Sequence, residues 1–246
     1  MSKNFELLSQ LEGPLTTFQP WPAAAAPGIL TVPRAETVKE TPTEEENTLV
    51  QRVFFLPGQD APRSVVFCGV AQGDDSSSMC ARVSEILAAR AAGRVCLIDA
   101  DRHSPSLYAR YGIENQSGDT DGVGPGVAQN AARQIRGGNL WLSPAGSRTA
   151  AREAIASLDR ARDQISKLRE QFDYVLISAP PVNLSADAIV YGQLADGVIL
   201  VVKAGSTRRA AAMKAKESLE ASNVKLLGAI LSERTFPIPE ALYRML

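Results

Sequence analysis

The chain has 246 residues, 45% hydrophobic and 22% charged, enough for one buried domain of about 200 residues. That composition excludes collagen-like, disulfide-scaffold and wholly disordered classes. With 26 basic and 27 acidic residues the formal charge is -1, so no broad cationic field is available to hold nucleic acid or anionic lipid. Cys68, Cys80 and Cys96 lack CxxC spacing and His103 is the single histidine, which argues against a zinc site. No apolar run approaches the length of a membrane span, and the start has no basic n-region followed by an apolar h-region. The expectation is a cytoplasmic protein with reduced thiols, brought to a membrane only through a partner.

Residues 1–43 read as a disordered arm. Eight of the 15 prolines fall in the first 62 positions, and Pro, Ala, Thr and Glu alternate there without an apolar period, so burial cannot offset ordering entropy. Leu49, Val50, Val53 and Phe54 then share one helical face behind the acidic run Glu44, Glu45 and Glu46, which predicts a short amphipathic helix at about 44–55.

From Arg63 onward apolar strands alternate with helices. SVVFCGV (64–70), RVCLIDA (94–100), NLWLSPA (139–145), FDYVLISAPP (172–181), DGVILVVKA (196–204) and VKLLGAILS (224–232) read as strands. Helices are expected at about 77–92, 150–170, 185–194 and 206–222, with a long Gly-, Asn- and Gln-rich loop at 114–138. Such alternation predicts an α/β fold, a doubly wound and mostly parallel sheet with helices on both faces. Ligands in such sheets sit beyond the carboxyl ends of the strands.

Three segments at those ends carry candidate chemistry. GVAQGDDSSSMCARV places a glycine-containing loop before a helix whose free N–H groups suit an anion. LIDADRHSPSL sets Asp99 and Asp101 two residues apart, and FDYVLISAPP with ADGVILVVKAGSTRR follows. Together they resemble the bacterial tyrosine kinases of capsule and exopolysaccharide synthesis, relatives of the Min and Par ATPases with a P-loop fold. The family pattern is PGEGKST, LLIDADxRxPSLH, FDYVIIDTPP, ADGVLLVV and a closing GVVLN, matched over about residues 45–236. The resemblance implies a P-loop-like domain at 44–236 and a tail at 237–246. It also implies ATP and Mg as cofactors, a membrane-bound polysaccharide co-polymerase or export protein as partner, and homo-oligomers.

Carried over residue by residue, GEGKST falls on Gly73, Asp74, Asp75, Ser76, Ser77 and Ser78. Asp99 and Asp101 take the catalytic positions, Ser77 and Asp99 the magnesium positions, and Tyr243 remains as a candidate phosphoacceptor. The lysine that cradles phosphate is Ser76, and no lysine occurs between Lys39 and Lys167. Asp75 stands at a glycine position beside Asp74, so phosphate would meet carboxylates. A unit-charge contact at about 4 Å is on the order of 4 kcal/mol at an effective dielectric of about 20. The second strand-end aspartate is Ser178, and the asparagine that reads adenine is Ser232. In the ExxRxxR oligomerisation motif Glu46 and Arg52 match while Leu49 replaces the first arginine.

These departures favour a pseudoenzyme with impaired ATP binding that docks on the membrane machinery. One alternative is an active autokinase with a non-standard loop, in which Arg63 or Arg82 substitutes for the lysine. A Min/Par-type positioning ATPase is the other, weakened because its second loop lysine would fall at about Ala71. Plainer roles are also open: Ser76, Ser77 and Ser78 as an N-cap run, Asp101 as the cap of the next helix, and Arg208, Arg209, Lys214 and Lys216 as a solvated basic face.

Overall fold

The computed structural model describes residues 42–55, 61–101, 104–113, 132–144 and 154–233. The arm up to residue 41, His103, most of the loop at 114–138 and the tail at 237–246 with Tyr243 lie outside the described residues.

The first element is helix α1 (Glu44–Phe54). Thr43 caps it: its hydroxyl accepts from the Glu46 N–H at 3.2 Å, and the Glu46 carboxylate accepts from the Thr43 N–H at 2.9 Å. This reciprocal box fixes the start that the acidic run predicted. Then follow β1 (Ser64–Gly69), α2 (Ser76–Arg90), β2 (Val95–Asp99), α3 (Leu107–Tyr111), β3 (Arg133–Gln134) and β4 (Leu140–Pro144). The remaining elements are α4 (Ala154–Gln171), β5 (Tyr174–Ala179), α5 (Asp187–Leu194), β6 (Gly197–Lys203), α6 (Arg209–Ala221) and β7 (Leu226–Ser232).

The sheet order is β3-β4-β2-β5-β1-β6-β7, parallel throughout except for β3 against β4. Every residue of β1 and β2 is buried, as expected of strands covered on both faces. Alternation divides the core in two. Val65, Phe67, Leu97, Leu176 and Ile199 pack under α1, α2 and α3, while Val66, Cys68, Ile98, Ile177 and Leu200 pack under α4, α5 and α6. The two-residue strand β3 falls inside the stretch read as loop, because so short an edge strand leaves no periodic signal. All three cysteines are free and buried, acting as small apolar residues.

Parallel register sets the carboxyl ends of the central strands side by side. Asp99 pairs with Ser178, Cys68 with Ala179, and Lys203 with Ser232. The segments singled out in the sequence therefore converge on one edge of the sheet.

Candidate functional site: the cleft beyond β1, β2 and β5

A cleft of about 490 Å³ opens there, lined by the loop 71–78, Asp101, Ser104, Ser106, Arg110 and the Pro180-Pro181 turn. The loop turns through two residues in the left-handed region, Gly73 with φ 86° and Asp75. Asp75 has φ 60°, in the left-handed region that glycine enters without steric cost, and it makes no capping hydrogen bond with its side chain. The N-cap is thus Asp75. The serine run begins inside the helix, which corrects its reading as the cap.

Asp74 points inward. Its Oδ2 accepts from the N–H groups of Val70 at 2.8 Å and Ala71 at 2.7 Å, and its Oδ1 accepts from the Thr207 hydroxyl at 2.9 Å. The residue is 4% exposed, and Gly69 gives it room: a Cβ on Gly69 would lie 3.0 Å from the Asp74 Cβ. A carboxylate thereby takes two backbone donors at the start of the loop. Asp75, by contrast, is exposed; partial burial, then the Glu233 carboxylate, raises its pKa, opposed by Lys203, Arg110 and Arg82.

The serines divide their work. Ser76, at the lysine position, is buried. Ser77 accepts from the Ser178 hydroxyl at 2.9 Å, so the residue replacing the strand-end aspartate bonds to the candidate magnesium ligand. Ser78 accepts from Arg110 Nη1 at 3.1 Å. Ser232 is buried, its hydroxyl 3.4 Å from the Val202 carbonyl and 3.5 Å from the Asp74 carbonyl.

Asp99 is 4% exposed; its Oδ2 accepts from the Leu107 N–H at 3.1 Å, and its Oδ1 has no hydrogen-bond partner among the described residues. Burial pushes its carboxyl up to about 6, against the pull of backbone donors that include Leu107. Asp99 therefore holds the start of α3, the role first read for Asp101. Asp101 instead accepts from the Ser104 N–H at 3.0 Å and lines the cleft.

Neither arginine considered as a lysine substitute does that work. Arg82 pairs with Glu46, donating from Nη2 at 2.9 Å and anchoring α1 on α2. Arg63 lies at the opposite end of β1, before its first residue. The structure brings a different cation to the cleft: Arg110, carried on α3, which also pairs with Glu85 at 3.7 Å. Nothing in the sequence marked it, because only the return of α3 against α2 places it beside Ser78. Glu46, read in the oligomerisation motif, is buried by its cap and its arginine, while Arg52 is exposed.

No family model matches the chain. Among curated proteins it is 27% identical over 195 residues to the tyrosine-protein kinase YwqD of Bacillus subtilis, covering 79% of this chain and 82% of the relative. It is 22% identical over 196 residues to the putative tyrosine-protein kinase CapB of Staphylococcus aureus, covering 79% and 86%. Over 147 residues it is 30% identical to the tyrosine-protein kinase CpsD of Streptococcus pneumoniae serotype 4, covering 59% and 65%. Among solved structures, the chimerical protein CapA2B2 superposes with a TM-score of 0.65 at 22% identity, covering 80% of this chain and 86% of that one. The BceF tyrosine kinase domain superposes with a TM-score of 0.58 at 26% identity, covering 75% and 73%. MinD of Aquifex aeolicus shares the fold with a TM-score of 0.55 at 18% identity, covering 74% and 73%. By sequence the chain is similar to bacterial tyrosine-protein kinases, and by fold it is similar to a tyrosine kinase domain and to MinD.

Proposed function

We propose that this chain is a tyrosine-kinase-like pseudoenzyme of exopolysaccharide or capsule synthesis, impaired in ATP binding, that acts in the cytoplasm by docking on the membrane-bound polysaccharide co-polymerase or export protein. The pathway and the partner rest on the resemblance to the tyrosine kinases. The impairment rests on one observation: the loop has no cation at Ser76, while the Asp74 carboxylate already takes the Val70 and Ala71 N–H groups. P-loop chemistry asks for the reverse, loop donors open to phosphate and a lysine beside them.

The magnesium side fits no better. A metal held by Ser77 and Asp99 would share the Ser77 oxygen with the Ser178 hydroxyl, and it would lack the strand-end carboxylate that Ser178 replaces. The residues present do not fit Mg-ATP as an ordinary P-loop holds it, and no catalytic step is assigned to them.

Arg110 supports a second reading, an active autokinase with a non-standard loop, since its guanidinium lines the cleft and reaches Ser78. Calorimetric titration of the full chain with ATP and Mg separates the two. The pseudoenzyme gives no saturable micromolar binding; micromolar binding abolished by Asp99→Ala rules the pseudoenzyme reading out.

A further inference from the structure

The opposite rim of the sheet carries a second concavity that the kinase resemblance does not use. At the amino ends of β1, β5, β6 and β7, Pro62, Arg63, Arg169, Tyr174, Asp196 and Lys225 border a hollow of about 660 Å³. We propose that this hollow binds a phosphate monoester, a doubly charged phosphate on a small organic group.

Charge makes the case. Asp196 is the one carboxylate among the described lining residues, and its charge is already engaged. It accepts from the N–H groups of Arg63 and Ser64, both at 2.8 Å, and from Arg169 Nη2 at 3.1 Å. Arg63 and Lys225 are exposed and have no ion-pair partner among the described residues. Three cations against one carboxylate leave two positive charges around one concavity, the complement of a phosphate dianion rather than of a single carboxylate. Guanidinium groups offer paired donors to phosphate oxygens, and the lysine adds a point charge.

The ligand's size follows from the walls. The hollow exceeds what one phosphate fills, and Pro62 and Tyr174 add uncharged lining that an organic substituent can cover. The patch is local, on a chain of formal charge -1, so it suits a discrete phosphate and not a polyanion that needs an extended field.

The test is calorimetric titration of the full chain at low salt with phenyl phosphate, phenyl sulfate and inorganic phosphate. Phenyl phosphate should saturate, and phenyl sulfate, with the same shape and one charge fewer, should bind roughly tenfold more weakly. The double variant Arg63→Gln, Lys225→Gln should weaken phenyl phosphate by roughly tenfold or more, whereas Arg110→Gln, in the other cleft, should leave it unchanged. Both exchanged side chains are exposed; if circular dichroism shows the double variant unfolded, Lys225→Gln alone serves, with a smaller loss in the same direction. Tighter binding of phenyl phosphate than of inorganic phosphate supports the ester, and the reverse order overturns it in favour of the free ion. Absence of saturation, equal binding of the sulfate, or a loss that follows Arg110→Gln alone overturns the site altogether.

Discussion

Thr207 donates its hydroxyl to Asp74 Oδ1 at 2.9 Å, tying the loop after β6 to the loop after β1. The same Thr207 oxygen accepts from the Lys203 N–H at 3.0 Å, so the tie is anchored in the last residue of β6. Asp74 is thereby a brace between two loops of the fold.

That brace has a measurable strength. Thr207→Val keeps the shape but removes both contacts, leaving a buried carboxylate oxygen without its donor and the Lys203 N–H without its acceptor, at a cost of at least about 1–3 kcal/mol. Urea unfolding should show a lower midpoint at unchanged slope, and Thr207→Ser should recover most of the difference. A midpoint equal to that of the parent chain would mean that the contact contributes nothing.

Nucleotide should stabilise the chain very little. A ligand raises stability only when its concentration exceeds its dissociation constant, so Mg-ATP at about 1 mM should move the melting temperature by no more than about 2 °C. Asp75→Gly with Ser76→Lys should enlarge the shift. The glycine suits the φ of 60° at position 75, and the lysine supplies the missing charge. If the double variant gains nothing, Ser178 and the inward Asp74 limit binding more than the lysine position does.

Asp99 makes stability depend on pH. The folded chain holds its proton up to about pH 6, while the unfolded carboxyl releases it near 3.8. Between these values the native state binds more protons, so stability falls as pH rises, and above about 6 the full penalty applies. The scale is on the order of 3 kcal/mol. Asp99→Asn retains an acceptor for the Leu107 N–H and removes the charge. It should melt higher than the parent at pH 7.5 with a chelator present and equal to it near pH 3.5. A variant less stable than the parent at pH 7.5 would show that the carboxylate is welcome where it stands.

Gly192 lets α5 lie close against Val198 of β6 and Val224. A Cβ there would lie 2.7 Å from Val224 Cγ1 and 2.8 Å from Val198 Cγ2. Alanine gains about 1 kcal/mol of helix propensity over glycine, but overpacking costs roughly 1–3 kcal/mol. Gly192→Ala should therefore lower the melting temperature, and an increase would mean that α5 shifts freely.

The strand and helix order was readable because the central strands are covered on both faces: β1, β2, β5 and β6 had to be apolar runs, and their crossovers had to be helices. The absence of a lysine from the glycine-containing loop was equally legible, since no lysine occurs anywhere between Lys39 and Lys167. What escaped were directions. Both loop aspartates were expected to face phosphate, yet only Asp75 is exposed, because Asp74 found backbone donors and Thr207 from 133 positions along the chain.

Sequence alone determined the fold class, the place of the cleft and the loss of its lysine, because periodicity and local turn chemistry are written along the chain. Tertiary structure decided which charges meet. It spent Arg82 on Glu46, brought Arg110 to Ser78, gave the α3 start to Asp99 and gathered Arg63, Arg169 and Lys225 around one hollow. Those pairings depend on how strands distant in sequence align and how helices return, and no local pattern records them.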